Sequence, residues 1–217
     1  MLEGFKKIVD LLEQPSYNLS RNDLSQIEDN LLQTKEEELQ MTKTKWAIDP
    51  AHSSVDFSIR HMMIANVKGT FHDFQAEVEA DITDLTTASI EFTVKIDSID
   101  TRNKDRDAHL HSADFFDVEK YPTMTFRSTS ITKKEEGEYE VTGELALHGF
   151  SNKETFVVVF EGQGKDPWGN EKAGFSAQGT VNRADYGLTW NSALETGGVL
   201  VGDKVKINLQ IEAAKAE

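Results

Sequence analysis

The chain has 217 residues, room for one generous domain or for one domain with an appendage. Acidic side chains outnumber basic ones 38 to 23, a net charge of −15, which argues against nucleic acid as a partner and against electrostatic docking on anionic lipid. Cysteine is absent, so disulfides, thiolate catalysis and zinc–cysteine sites are excluded, and no run approaches the roughly 20 apolar residues of a membrane-spanning helix.

Residues 1–45 read as a helical N-terminal extension. Leu2, Phe5, Val9 and Leu12 recur at helical spacing up to Pro15, and Ser20 can cap a second helix with the apolar stripe Leu24, Ile27 and Leu31. Lys6, Lys7 and Asp10 break the apolar run, so it lacks the core of a secretory signal, and the expected compartment is the cytoplasm.

From residue 46 to 217 the period becomes two. Val55, Phe57, Ile59 and His61 alternate with polar residues, as do Phe74 to Ala80, Ile90 to Ile96, Tyr139 to Leu147 and Val205 to Ile211. Less regular runs at 124–131, 155–160 and 175–181 bring the count to about eight strands. Most are joined by short turns such as Glu136-Gly137 and the Gly164–Asn170 loop, which favours antiparallel neighbours. Eight such strands close into an up-and-down barrel without exposed edges. The one interruption, Arg102 to Tyr121, reads as a short helix plus loop, with Phe115, Phe116 and Tyr121 as an aromatic plug for one barrel end.

An eight-stranded barrel is just wide enough to fill with side chains or to hold one slender ligand. Its dry face mixes large residues (Phe57, Phe92, Phe126, Phe175) with small ones (Ala76, Ala80, Gly143, Ala177, Gly179). Periodicity alone leaves both outcomes open.

Chemistry-bearing patterns are sparse. His109 and His111 form an H-x-H pair, a weak metal signal, and the other four histidines are scattered; the expectation is no metal site. His52 and Ser53 are adjacent on a strand and so point to opposite faces, and no G-x-S-x-G elbow exists, so no catalytic residues are expected. His61 continues an apolar face. It reads either as a core histidine or as a polar contact to a ligand head group.

Four ordered blocks then carry a likeness. Ile48-Asp49-Pro50-Ala51-His52-Ser53 running on to Met62 and Val67-Lys68-Gly69-Thr70-Phe71 is the first. His109-Leu110 with Ser112 to Asp117 and Tyr121 to Phe126 is the second. Gly143 to Gly149, and Arg183 to Gly187 with Gly202 to Val205, complete the set. Together they resemble the YceI-like family of lipocalin-like, polyisoprenoid-binding barrel proteins of bacteria.

The resemblance covers about 46–212 and implies an all-β, eight-stranded antiparallel lipocalin-like barrel, usually a homodimer. Its apolar bore would hold a polyisoprenoid or other long-chain amphiphile, with no further cofactor, no catalytic residues and no stable membrane insertion. The residues expected to touch that hydrophobic ligand are Phe57, Ile59, His61, Ala76, Val78, Phe92, Val94, Phe126, Leu145 and Phe175.

Overall fold

In the computed structural model the described residues are 26, 43–195 and 198–216, and eleven strands, one helix and two 3-10 turns account for most of them. The expected helices of the N-terminal extension lie outside the described residues; positions 44 and 45, counted there as part of the extension, already belong to the first strand. Lys43 to Glu217 form one compact unit.

The strands are β1 (Thr44–Ile48), β2 (Ser54–His61), β3 (Ala65–Phe71), β4 (Phe74–Asp81), β5 (Asp84–Lys95) and β6 (Ile99–Asp100). After the helix α1 (Lys104–His111) come β7 (Thr123–Glu135), β8 (Glu138–Leu147), β9 (Phe150–Lys165), β10 (Glu171–Asn182) and β11 (Val201–Lys215). All pairings are antiparallel.

Eight strands form a closed ring: β4, β5, β7, β8, β9, β10 and β11 in succession, with β1 slotted between β4 and β11. β1 closes the circle through Trp46 opposite both Val78 of β4 and Lys215 of β11. The count of eight expected from the period therefore holds, with an exchange of members. β2 pairs with the first two thirds of β11, from Val201 to Gln210, and leads outward to β3 and β6 as a flap. β1 takes the last part of β11, at Ala213 to Lys215. A 15-residue strand is long enough to serve two successive partners on one edge.

Tight turns set the register. β8 and β9 meet through His148-Gly149, both left-handed at φ 52° and 80°, the two-residue hairpin turn whose twist suits flanking strands. The ring of Tyr121 lies 2.9 Å from where a side chain on Gly149 would begin, so glycine is required there twice over.

The register also distinguishes the two barrel ends. The β4–β5, β7–β8 and β9–β10 turns, the start of β1 and the end of β11 share one rim. The opposite end is closed. There Ile96, Ile99, Leu147, Tyr186 and Leu188 are buried together, and Leu110, Phe116 and Val118 of the 102–122 segment pack against them. Asn103 caps α1 by accepting the Arg106 N–H at 2.9 Å.

A second set of aromatics seals this end. The His109 ring stands edge-on to Phe115 and Trp190 at 5.0 and 4.8 Å, and Tyr121 stands edge-on to His148 at 4.8 Å. The aromatic plug expected from the sequence is thus present, and Trp190, from the long 187–200 connection, joins it. Arg183, only 5% exposed, braces that connection by donating to the carbonyls of Gly202 (2.8 Å), Trp190 (3.0 Å) and Leu188.

Candidate functional site

Inside the ring lies an apolar cavity of about 200 Å3. Its wall follows the inward period of two: Ala76, Val78, Ala80 and Ile82 from β4 and the turn after it, Tyr139, Val141 and Leu145 from β8, and Ile207, Leu209, Ile211 and Ala213 from β11. Six residues separate Tyr139 from Leu145, and six separate Ile207 from Ala213. At ~3.3 Å per residue that is about 20 Å along each strand. A tilt of about 40° reduces it to roughly 15 Å along the barrel axis. The space is therefore long and thin.

Why the barrel is hollow follows from which residues face each other. Small side chains (Ala76, Ala80, Ala88, Ala177, Ala213) contribute wall without filling it. The large ones are drawn into pairs with one another instead. Phe126 meets Phe156 edge-on at 5.2 Å, Phe74 stacks on Phe92 at 6.0 Å, and Phe160 tilts against Phe175 at 5.4 Å. The cavity bridges two packed clusters. One is the closed-end core; the other, around Trp46, Ala80, Leu85, Ala173 and Ala213, lies toward the opposite rim.

Among the described residues no polar atom faces this space. The Trp46 indole N–H is buried in the wall and has no hydrogen-bond partner among the described residues. An apolar cavity of about 150 Å3 stays dry and admits benzene, so a space of this size and lining favours hydrocarbon over water. Drug-sized pockets run to ~300–1,000 Å3, so the occupant must be slender.

Of the ten residues expected at a ligand, Ala76, Val78, Phe92, Val94, Phe126, Leu145 and Phe175 line the cavity. Phe57, Ile59 and His61 do not, because β2 belongs to the flap and not to the ring. The Phe57 ring lies over Gly69 of β3, 2.4 Å from where a Cβ would sit, and packs on Phe71 at 5.5 Å. His61 ends β2 opposite Ala65 and Val201, half-buried at the hairpin tip.

Trp46, Ile48 and Ile131 were not expected there, yet all three are lining residues. β1 is five residues long, too short to display a period, and Trp46-Ala47-Ile48 is an apolar run without alternation.

The histidines do not gather at the cavity. His109 Nε2 lies 3.0 Å from Asp114 Oδ2, while His111 Nε2 is buried with no partner among the described residues. Asp49, His52 and Glu212 do come together at the β1–β2 connection. Lys172 Nζ stands 3.0 Å from a carboxylate oxygen of each acid, so an ammonium already sits between them. The His52 hydrogen bond first, and the Lys172 one second, hold the Asp49 carboxyl well below the usual carboxylate range. The hydrogen bonds to Asp49 first and to Glu212 second push Lys172 upward. Ser53 Oγ accepts the Glu212 N–H at 3.0 Å, and the Asp49 N–H donates to the Glu212 carbonyl at 2.8 Å. This cluster therefore staples the point where β11 passes from β2 to β1.

A closed eight-stranded antiparallel barrel with an apolar shaft, sealed at one end by a helix and aromatic rings, defines the structural class. The YceI-like domain model matches residues 46–213, and the chain belongs to that family. A UPF0312 protein of Staphylococcus epidermidis is 44% identical over 170 residues, 78% of this chain and 96% of its own length. One from Staphylococcus aureus is 42% identical over 175 residues, 80% of this chain and 99% of that protein.

Among solved structures, BcnA of Burkholderia cenocepacia is similar with a TM-score of 0.67 and 25% identity, over 76% of this chain and 98% of that one. The Campylobacter jejuni YCEI protein is 33% identical, with a TM-score of 0.64 over 73% and 90% of the two chains. A polyisoprenoid binding domain from Saccharophagus degradans shares the fold at a TM-score of 0.56 and 12% identity, over 80% and 99%.

Proposed function

We propose that the protein is a non-catalytic lipid-binding barrel that holds a polyisoprenoid or similar long-chain amphiphile in its bore, for transport, storage or sequestration. The observation that carries this reading is the thin cavity of about 200 Å3 with no polar atom of the described residues facing it. Each methylene buried there is worth ~0.8 kcal/mol, so chain length supplies affinity without specific polar contacts. Membership of the YceI-like family supports the same reading. The Saccharophagus degradans neighbour, which shares the fold, is named for polyisoprenoid binding, and that supports the reading.

A binding role, not catalysis, fits a wall in which Thr125 and Tyr139 take part but no polar atom of the described residues faces the space. Cytoplasmic placement and a homodimer belong to the same reading. Cell fractionation and light scattering on the purified protein check them.

Organic extraction of the purified protein followed by mass spectrometry is the direct test. The expected result is a long-chain lipid near one per barrel. An empty extract, together with no uptake of added polyprenol, would overturn the proposal.

A further inference from the structure

The rim opposite the closed end carries one feature that the barrel's own stability does not explain. At the tip of the β9–β10 turn, Trp168 is 84% exposed, the most exposed large apolar side chain among the described residues. Its turn is tightly built. The Asp166 carboxylate accepts the Trp168 and Asn170 backbone N–H groups at 2.9 Å each and the Asn170 side-chain amide at 2.7 Å. The Gly169 N–H donates to the Asp166 carbonyl at 3.0 Å, and the Asp166 N–H to the Asn170 carbonyl at 3.0 Å. Five hydrogen bonds thus hold a stiff loop in the conformation that presents the indole to solvent.

Its position matters. Lining of the shaft continues up to this rim through Ile82, Leu85, Tyr139 and Phe175, while the other end is closed by α1, Phe116 and the Trp190 cluster. Hence the exposed indole stands at the end through which a chain would enter. Three ion pairs lie nearby: Lys133 with Glu136 (2.9 Å), Lys134 with Glu140 (3.0 Å) and Lys215 with Glu171 (3.1 Å). With a net charge of −15 on the whole chain, this rim offers no cationic excess to an anionic surface. Indole rings settle at the headgroup level of bilayers, half in and half out of water.

We infer that Trp168 is an interfacial anchor that seats this rim on a zwitterionic lipid surface, where the bore exchanges its chain. This rests on the lipid-carrying reading for its purpose, but the docking can be measured separately. The contact is a shallow one made by a single turn, and it depends on the indole and not on charge.

The experiment uses the full chain and vesicles of phosphatidylcholine, with flotation and tryptophan quenching by brominated phosphatidylcholine as readouts. The expected result is quenching of wild-type emission, unchanged by raising salt to ~0.5 M, where surface charge is largely screened. Trp168→Ala should lower vesicle partitioning about tenfold, with melting temperature and extractable lipid unchanged, and Trp168→Phe should fall between. Equal partitioning of wild type and Trp168→Ala would overturn the inference. So would binding confined to anionic vesicles and abolished by salt, or a change of oligomeric state in Trp168→Ala, which would make a second copy the true occupant. An empty bore with Trp168-dependent docking would instead remove only the carrier reading, and a lipid-filled bore with Trp168-independent docking only the anchor.

Discussion

At the scale of single residues, the small side chains of the wall keep the shaft open. Ala177 is 8% exposed and lies opposite Val158 and Leu209, both lining residues. Replacing it with phenylalanine places a ring in the space. In a filled core such an insertion costs about 1–3 kcal/mol; here the ring has a cavity of about 200 Å3 to enter. Ala177→Phe is therefore expected to keep a cooperative melt near the wild-type temperature while losing at least tenfold in polyprenol binding. A parallel loss of fold and binding would show that the cavity is not free for a side chain to occupy.

At the scale of elements, the vulnerable stave is β1. It has five residues and is joined to β11 by three residue pairs. The Asp49–His52–Lys172–Glu212 staple supplies what so short a strand lacks, tying the β1–β2 connection to β10 and β11. Asp49 in the folded protein binds a proton less readily than its ordinary value of 3.8. Its contribution is thus present above about pH 4 and disappears as the pH falls through the lower folded value. Asp49→Asn should reduce the urea midpoint at pH 7, and the difference from wild type should shrink as the pH is lowered below about 4. A mutant difference constant down to about pH 2.5 would mean that the staple contributes no pH-dependent stability.

The flap shows how an element can carry the right pattern in the wrong place. Val55, Phe57, Ile59 and His61 alternate cleanly, yet among them only Val55 lines the cavity. Phe57 spends its apolar area on Gly69 and Phe71.

At the scale of the whole molecule, the barrel is a unit in its own right. The staphylococcal relatives are matched over 96–99% of their length by 170–175 residues, so chains little longer than the barrel occur without an extension of this kind. A chain starting at Lys43 is expected to unfold in one cooperative transition and to yield the same extractable lipid as the full protein. Loss of the lipid with the fold intact would assign residues 1–42 a part in holding it.

The amino-acid sequence alone determined the all-β class, the number of ring strands, the interrupting helix and the aromatic seal, because the period of two and the breaks in it are local properties of side-chain order. It also marked seven of the wall residues, since those positions lie on strands whose inward face is set by alternation. Only the tertiary structure decided that β1 and not β2 closes the ring, since that depends on how β11 divides its edge between two partners. The hollow, too, was decided there: whether alanines face alanines or phenylalanines across the bore is a matter of register between strands far apart in sequence, and no run of residues read by itself contains it.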